Sequence, residues 1–428
     1  MALKIVKKQD KQRIVITILG GTVGNAKYWL SQDILKSDIK NLFKETSELV
    51  YQNMFDYLCK NLKSSCEILP LYTDYAKDIN KEISEEKIQN GIRIDEKEFE
   101  DIFSKINNIL DSEKYKDSEF IIDITHGFRH LPILATIASL IHNFKNADKI
   151  KAILFGKEIK PQDEYEIIDL KIYLDIANIS FILTAFSDNY TISNHIKSPK
   201  FKDLLNALND FSNDMMALNV GKLRISRNNL IKYLEKIDNE AIKQQAINLK
   251  IKIENLVDFN AKRSEILYKL AKDMFDKNYL LLSLAALFES TRSYIVEFMY
   301  KNNNEIMQKI EDFYKNKGDG KNYLIDKFCK NTLKFFPKNK NNVYAEFLDR
   351  TSEKDKKLEL TNKEIDRILS SLKKLENRNK IVSLYEKIET KRNDLAHANS
   401  SGKAFDDIKN EVKDFLEKYE NLVSWQNK

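Results

Sequence analysis

Apolar residues fall in short unbroken runs over the first 175 or so positions, and in steps of three and four beyond about residue 180. Four of the early runs read as strands: "RIVITILGG" (13–21), "CEILPLYT" (66–73), "EFIIDITHG" (119–127) and "KIKAILFGK" (149–157). Helical spacing fills the intervals, at roughly 40–63, 95–112 and 129–144. Strands apolar on both faces that alternate with helices predict a parallel sheet covered on both sides. "EYEIIDLKIYL" (164–174), after a polar turn, predicts an added edge hairpin. Further on, "KFKDLLNALNDFSNDMMALN" (200–219) repeats apolar residues at i, i+3, i+4 and i+7. "YLLLSLAALFESTRSYIVEFMY" (279–300) is apolar on most faces, which predicts the central helix of a helical core. More helices are expected over 225–275, 362–396 and 404–425. The fold class expected is therefore α/β plus all-α: a Rossmann-like N-terminal half followed by a helical C-terminal half.

Composition agrees with that picture. A chain of 428 residues accommodates two or three domains. Ten glycines and five prolines are few, which favours long helices. Hydrophobic content of 42% with 32% charged residues describes a folded, soluble chain. Cys59, Cys66 and Cys329 form no CxxC pair, and the histidines do not join them at metal-ligand spacing. No metal site, no disulfide framework and a cytoplasmic location are expected. No apolar run reaches the ~20 residues of a membrane span, and the charged start does not look like a signal peptide. Net charge is +6 at a pI near 8.7. Ten lysines against five acids in 301–342 supply most of that excess. A solvated insertion and an RNA-facing surface both fit the stretch.

Two loops stand where ligands bind an open parallel sheet, beyond the carboxyl ends of the strands. In "LGGTVGNAKYW" (19–29), Gly20 and Gly21 admit a close backbone approach, and Thr22 and Asn25 add hydrogen-bonding groups. It is neither GxGxxG nor a P-loop, which argues against a nicotinamide-dependent oxidoreductase. In "DITHGFRHLP" (123–132), Thr125, His126, Gly127, Arg129 and His130 gather at the expected start of a helix, where unpaired N–H groups suit phosphate. A locally bonded His126 in an ordinary helix cap is the alternative.

A third candidate lies near the end of the chain, in "KRNDLAHANS" (391–400). Ile381, Leu384, Ile388 and Leu395 form an apolar stripe, and four residues on from Ile388 it reaches Arg392. A buried arginine is costly without a partner or a functional cavity. His397 follows five residues later, about 140° around an ideal helix, so convergence with Arg392 needs a helix end or a second copy of the chain. "ANSSG" (398–402) predicts such an end.

"DITHG" matches the DxTHG motif of CRISPR-associated proteins, and "DITHGFRHLP" resembles that family's extended signature. "RNDLAH" is similar to the Arg-polar…His motif of HEPN ribonucleases. The resemblance implies a CARF domain over 1–178, a helical connector over 179–260 and a HEPN domain over 261–428. It implies a homodimer, with higher oligomers left open. Gly20, Gly21, Thr22, Asn25, Thr125, His126, Gly127, Arg129 and His130 would then hold a cyclic oligoadenylate activator. Arg392, Asn393 and His397 would cleave single-stranded RNA without a cofactor, leaving a 2′,3′-cyclic phosphate and a 5′-hydroxyl. Asn393 would orient Arg392 or the substrate, and Glu289 would buttress the arginine. Two alternatives stay open: a non-catalytic sensor that binds RNA or a partner protein, and an enzyme that also degrades its activator, with His126 or His130 contributing.

Overall fold

The computed structural model describes residues 11–45, 49–95, 97–127, 130–145, 149–192, 198, 200–258, 260–314 and 358–423. The chain divides into two compact units. One comprises 1–186, 192–205 and 239–245, the other 187–191, 206–238 and 246–428.

The first unit is built on one sheet. In chain order its strands are β1 (Arg13–Ile18), β2 (Ala26–Leu30), β3 (Val50–Tyr51), β4 (Cys66–Tyr72), β5 (Ile92–Arg93), β6 (Glu119–Asp123), β7 (Ile150–Lys160) and β8 (Glu164–Asp169). Their order across the sheet is β3-β2-β8-β7-β6-β1-β4-β5. β1 lies between β4 and β6 and is parallel to both, with Val15 opposite Ile68 on one side and Ile121 on the other. That central place explains its unbroken apolar run.

Alternation along β1 splits the core in two. Val15 faces one cluster with Tyr28, Tyr51, Phe55 and Leu58, under α1 (Gln32–Leu35), α2 (Met54–Asn61), α3 (Asp74–Asn80) and α4 (Glu85–Gln89). Ile14, Ile16 and Ile18 face the other, with Ile102, Ile106, Phe120 and Leu131, under α5 (Phe99–Asp111), α6 (His130–Lys145) and the start of α7 (Lys171–Asn189).

Several sequence expectations change here. The β7–β8 hairpin forms, but β8 is not an edge, because β2 pairs parallel to it and β3 lies beyond. "KIYL" leaves the sheet and opens α7. "AKYWL", read as loop, is β2, whose Tyr28 stacks on Tyr165 of β8 at 4.9 Å. Residues 40–63 are not one helix but a short 3-10 turn, β3 and α2.

In the second unit α12 (Leu280–Asn302) is the central helix, with Leu284, Leu287, Phe288, Ile295 and Met299 buried. It is packed by α11 (Arg263–Asp276), α15 (Arg378–Ala396) and α16 (Phe405–Leu422). α8 (Lys202–Met216), α9 (Val220–Leu234), α10 (Glu240–Leu256), α13 (Asn304–Tyr314) and α14 (Asn362–Lys373) complete the helices of the described residues. The helices expected over 225–275 are three and those over 362–396 are two, separated where Asn377 turns left-handed at φ 57°. Of the lysine-rich stretch, α13 is helical, and 315–342 lies outside the described residues.

Candidate functional site

The loops after β1 and β6 meet at one edge of the sheet because their strands are neighbours. The carboxylate of Asp123, the last residue of β6, is fully buried and organises them. One oxygen accepts the Thr17 hydroxyl at 2.6 Å. The other accepts the Thr125 amide at 3.0 Å and hydroxyl at 2.6 Å. Burial pushes the Asp123 carboxyl up, opposed by the Thr125 and Thr17 hydrogen bonds. The Thr125 oxygen also accepts the Gly156 amide at 2.8 Å, tying β6 to β7.

His126 has a structural partner as well. Its Nε2 accepts the Met54 amide, at the first turn of α2, at 3.2 Å. Nε2 is thus unprotonated and the ring proton sits on Nδ1. Burial lowers the imidazole pKa, against the pull of Asp123. The ring lies against Gly20, where an added Cβ would come within 3.0 Å of the His126 Cβ. Gly127 has φ +103°, and its Cβ would meet Ile18 Cγ2 at 2.6 Å. Only glycine fits without displacing the turn.

The loop after β1 is held at both ends. The Leu19 amide donates to Leu71 O, and the Gly24 amide to Gln52 O, each at 2.9 Å. Asn80 Nδ2 donates to Gly20 O at 2.8 Å, and Asn53 Nδ2 to Asn80 Oδ1 at 2.7 Å. Thr22, between these ties, and Asn25, just past the second, are exposed. His130 opens the described part of α6 with its ring edge-on to Phe99 at 4.8 Å. Arg129 lies outside the described residues. Tyr75 had no sequence signal. It stands in the first turn of α3, 62% exposed, with its ring so close to Gly21 that a Cβ there would meet it at 2.8 Å.

At the other candidate, on α15, the buried stripe runs Ile381, Leu384, Tyr385, Ile388 and then Lys391, a step of three and not four. Lys391 is therefore the cation at the apolar position. It is 7% exposed and pairs with Asp394 at 3.3 Å and Glu411 at 3.0 Å. Arg392 is half-buried beside the stripe. Its guanidinium lies 4.3 Å from the centroid of the Phe288 ring, and its Nη2 donates to Asn393 Oδ1 at 2.8 Å. Tyr385 stacks on Phe288 at 4.8 Å, and buried Arg292 reaches the same ring at 5.0 Å. Glu289 pairs with Arg292 at 2.9 Å, so the arginine it buttresses is Arg292 and not Arg392.

His397 is the C-cap of α15, exposed, with its amide donating to Asn393 O at 3.0 Å. Its imidazole has no hydrogen-bond partner among the described residues. Chemically, the first site offers an exposed loop backbone, two polar side chains and an aromatic face. The second offers a braced guanidinium and an exposed imidazole.

Residues 1–161 match the family described as CRISPR system endoribonuclease Csx1, CARF domain. The match takes in β1 to β7 and both loops of the first site, and covers less than half of the chain. No curated protein matches. Among the described residues, no helix is long and apolar enough to cross a membrane.

Proposed function

We propose that the chain is a cyclic-oligoadenylate-activated endoribonuclease of type III CRISPR defence, with the messenger bound on the sheet and single-stranded RNA cleaved by the helical unit. The observation that carries the reading is the family match over residues 1–161, which spans both loops that meet at Gly20 and His126. The messenger would rest on the backbone of Gly21 and Thr22, beside Asn25 and Gly127. Tyr75 would present its exposed face to an adenine, since every base has a π-face to stack. Thr125 would act as scaffold, because its hydroxyl already serves Asp123 and Gly156, while His126 is held through Nε2 by the Met54 amide and would turn its Nδ1 proton to the messenger.

The working unit would be a homodimer. Ile133, Ile137 and Ile141 form an exposed row along α6, at 59, 44 and 40% exposure. A second copy covering that row would bring together two loops of "DITHG" type, as a two-fold ring of adenylates requires. Ile137→Asp should shift the particle to half its mass in light scattering, and an unchanged mass would rule out this interface.

Residues 261–428 would supply the HEPN ribonuclease. RNA carries its own nucleophile in the 2′-hydroxyl. His397 would move its proton, or orient it, and Arg392 would stabilise charge on the phosphate in flight. This route needs no metal ion. Asn393 would hold the Arg392 fork through its side-chain oxygen. Full-length protein is incubated with labelled RNA and EDTA, with and without cyclic tetra- and hexa-adenylate. Messenger-dependent cleavage that Arg392→Ala and His397→Ala abolish, with messenger affinity intact, supports the reading. Cleavage retained in both variants overturns the catalytic assignment. Messenger binding with no cleavage by the wild type points to a non-catalytic sensor.

A further inference from the structure

We infer that Asp394 is a positioning residue for the ribonuclease site, holding the segment that carries His397. The inference rests on the reading of Arg392 and His397 given above.

A carboxylate in the last turn of a helix opposes the dipole, which favours cations there. Asp394 sits in that turn of α15, and its surroundings compensate. One oxygen accepts the Ser400 hydroxyl at 2.8 Å and the Ser401 amide at 2.9 Å. The other accepts the Ser401 hydroxyl at 2.7 Å and Lys391 Nζ at 3.3 Å. Its backbone oxygen accepts the Asn399 amide at 3.0 Å. Lys391 continues to Glu411 on α16, which also pairs with Lys403 beyond the turn. The Ser401 and Ser400 hydroxyls hold the Asp394 carboxyl well below the usual carboxylate range.

The segment so held is unusual. Directly after His397 the chain passes through left-handed backbone at Ala398 (φ 61°) and Asn399 (φ 54°). Such a conformation is unfavourable for alanine and persists where the surroundings impose it, often beside a working site. Because the His397 imidazole has no hydrogen-bond partner among the described residues, the course of the backbone is what places it. The Asp394 contacts close that backbone on both sides of the histidine, from Lys391 before it to Ser401 after it.

The test uses the full chain, saturating cyclic oligoadenylate and steady-state RNA cleavage over a range of RNA concentrations. Asp394→Asn should lower kcat about 30-fold while KM and messenger affinity stay within about twofold. Ser401→Ala should lower kcat about fivefold with melting unchanged, and so carries the test if Asp394→Asn folds poorly. The double variant should be no slower than Asp394→Asn alone, because both act through one contact. A kcat within twofold of wild type in both single variants, or effects that multiply in the double variant, would overturn the inference alone. A wild type that cleaves no RNA with any messenger overturns the underlying reading and the inference with it.

Discussion

Replacing Gly127 by alanine tests the geometry of the first site without touching a polar group. Two costs add at this position. The backbone sits at φ +103°, where a residue with a Cβ is disfavoured by about 1–3 kcal/mol. The new methyl also lands 2.6 Å from Ile18 Cγ2 and 3.2 Å from Leu131 Cδ1, an overpacking worth about 1–3 kcal/mol. With some relaxation of Ile18 the total is about 3 kcal/mol. For a unit of this size that lowers the melting temperature by about 6–12 °C. Gly24 in the loop after β1 is the control, since an added Cβ there meets nothing within 4 Å. Scanning fluorimetry of Gly127→Ala, Gly24→Ala and wild type makes the comparison. Gly24→Ala should melt within about 2 °C of wild type. If Gly127→Ala does the same, the turn after β6 is not built as described, and the ligand edge is not fixed by it.

Two other outcomes are expected. Tyr75→Ala should weaken cyclic-oligoadenylate binding about 10-fold by calorimetry, from the loss of a stacking face worth ~1–3 kcal/mol, while Tyr75→Phe stays within about twofold. An unaffected Tyr75→Ala removes Tyr75 from the site. The pH dependence of stability should carry a His126 signature. Its pKa is lowered by folding, so the native state resists protonation, and stability is whole above about pH 6.5 and falls as the pH drops below it. Asp123, raised by folding, works in the opposite sense, so the comparison is with His126→Gln, which keeps Asp123 and whose side-chain oxygen can accept from Met54. Urea unfolding of the two proteins at pH 7.5 and 5.5 should show the larger loss in wild type, and equal losses would remove the imidazole as cause.

The four sheet runs named from the sequence are strands because each is apolar on both faces where it lies inside the sheet, although β7 is parallel only to β6 and pairs antiparallel with β8. β2 escaped notice because "AKYWL" is five residues long and follows directly on a polar loop, and its reason to be a strand is a distant partner, β8. That the loops after β1 and β6 lie at the ligand end of the sheet was legible from strand-end chemistry; that they meet follows from the pairing of β1 with β6. What those side chains do was not. His126 and Thr125 are polar residues in a suggestive motif, yet their bonds run to Met54 and Gly156, positions that periodicity cannot pair. Tyr75 carries no pattern signal at all. On α15 the choice between three and four steps from Ile388 decided which cation lies in the stripe, and only packing against α12 and α16 selects Lys391.

The strand order has a consequence for the loop after β1. β2 runs antiparallel to β1 and lies four strand positions away, so residues 19–25 must pass the end of β6 and cross over β7 and β8, which run on past it as far as Lys160 and Glu164. Four interstrand steps of about 4.8 Å make a lateral gap of about 19 Å, to which the climb along β7 from the level of Leu154 to that of Lys160 is added. Eight residue steps from Ile18 to Ala26 reach about 26–29 Å when fully stretched. The segment is a strap with little slack, whose course is set by span more than by side chains. Two residues fewer would leave about 20–22 Å, little more than the lateral gap alone. Insertions here can bow outward, but deletions would pull β2 off β8 and take the floor of the ligand edge with it.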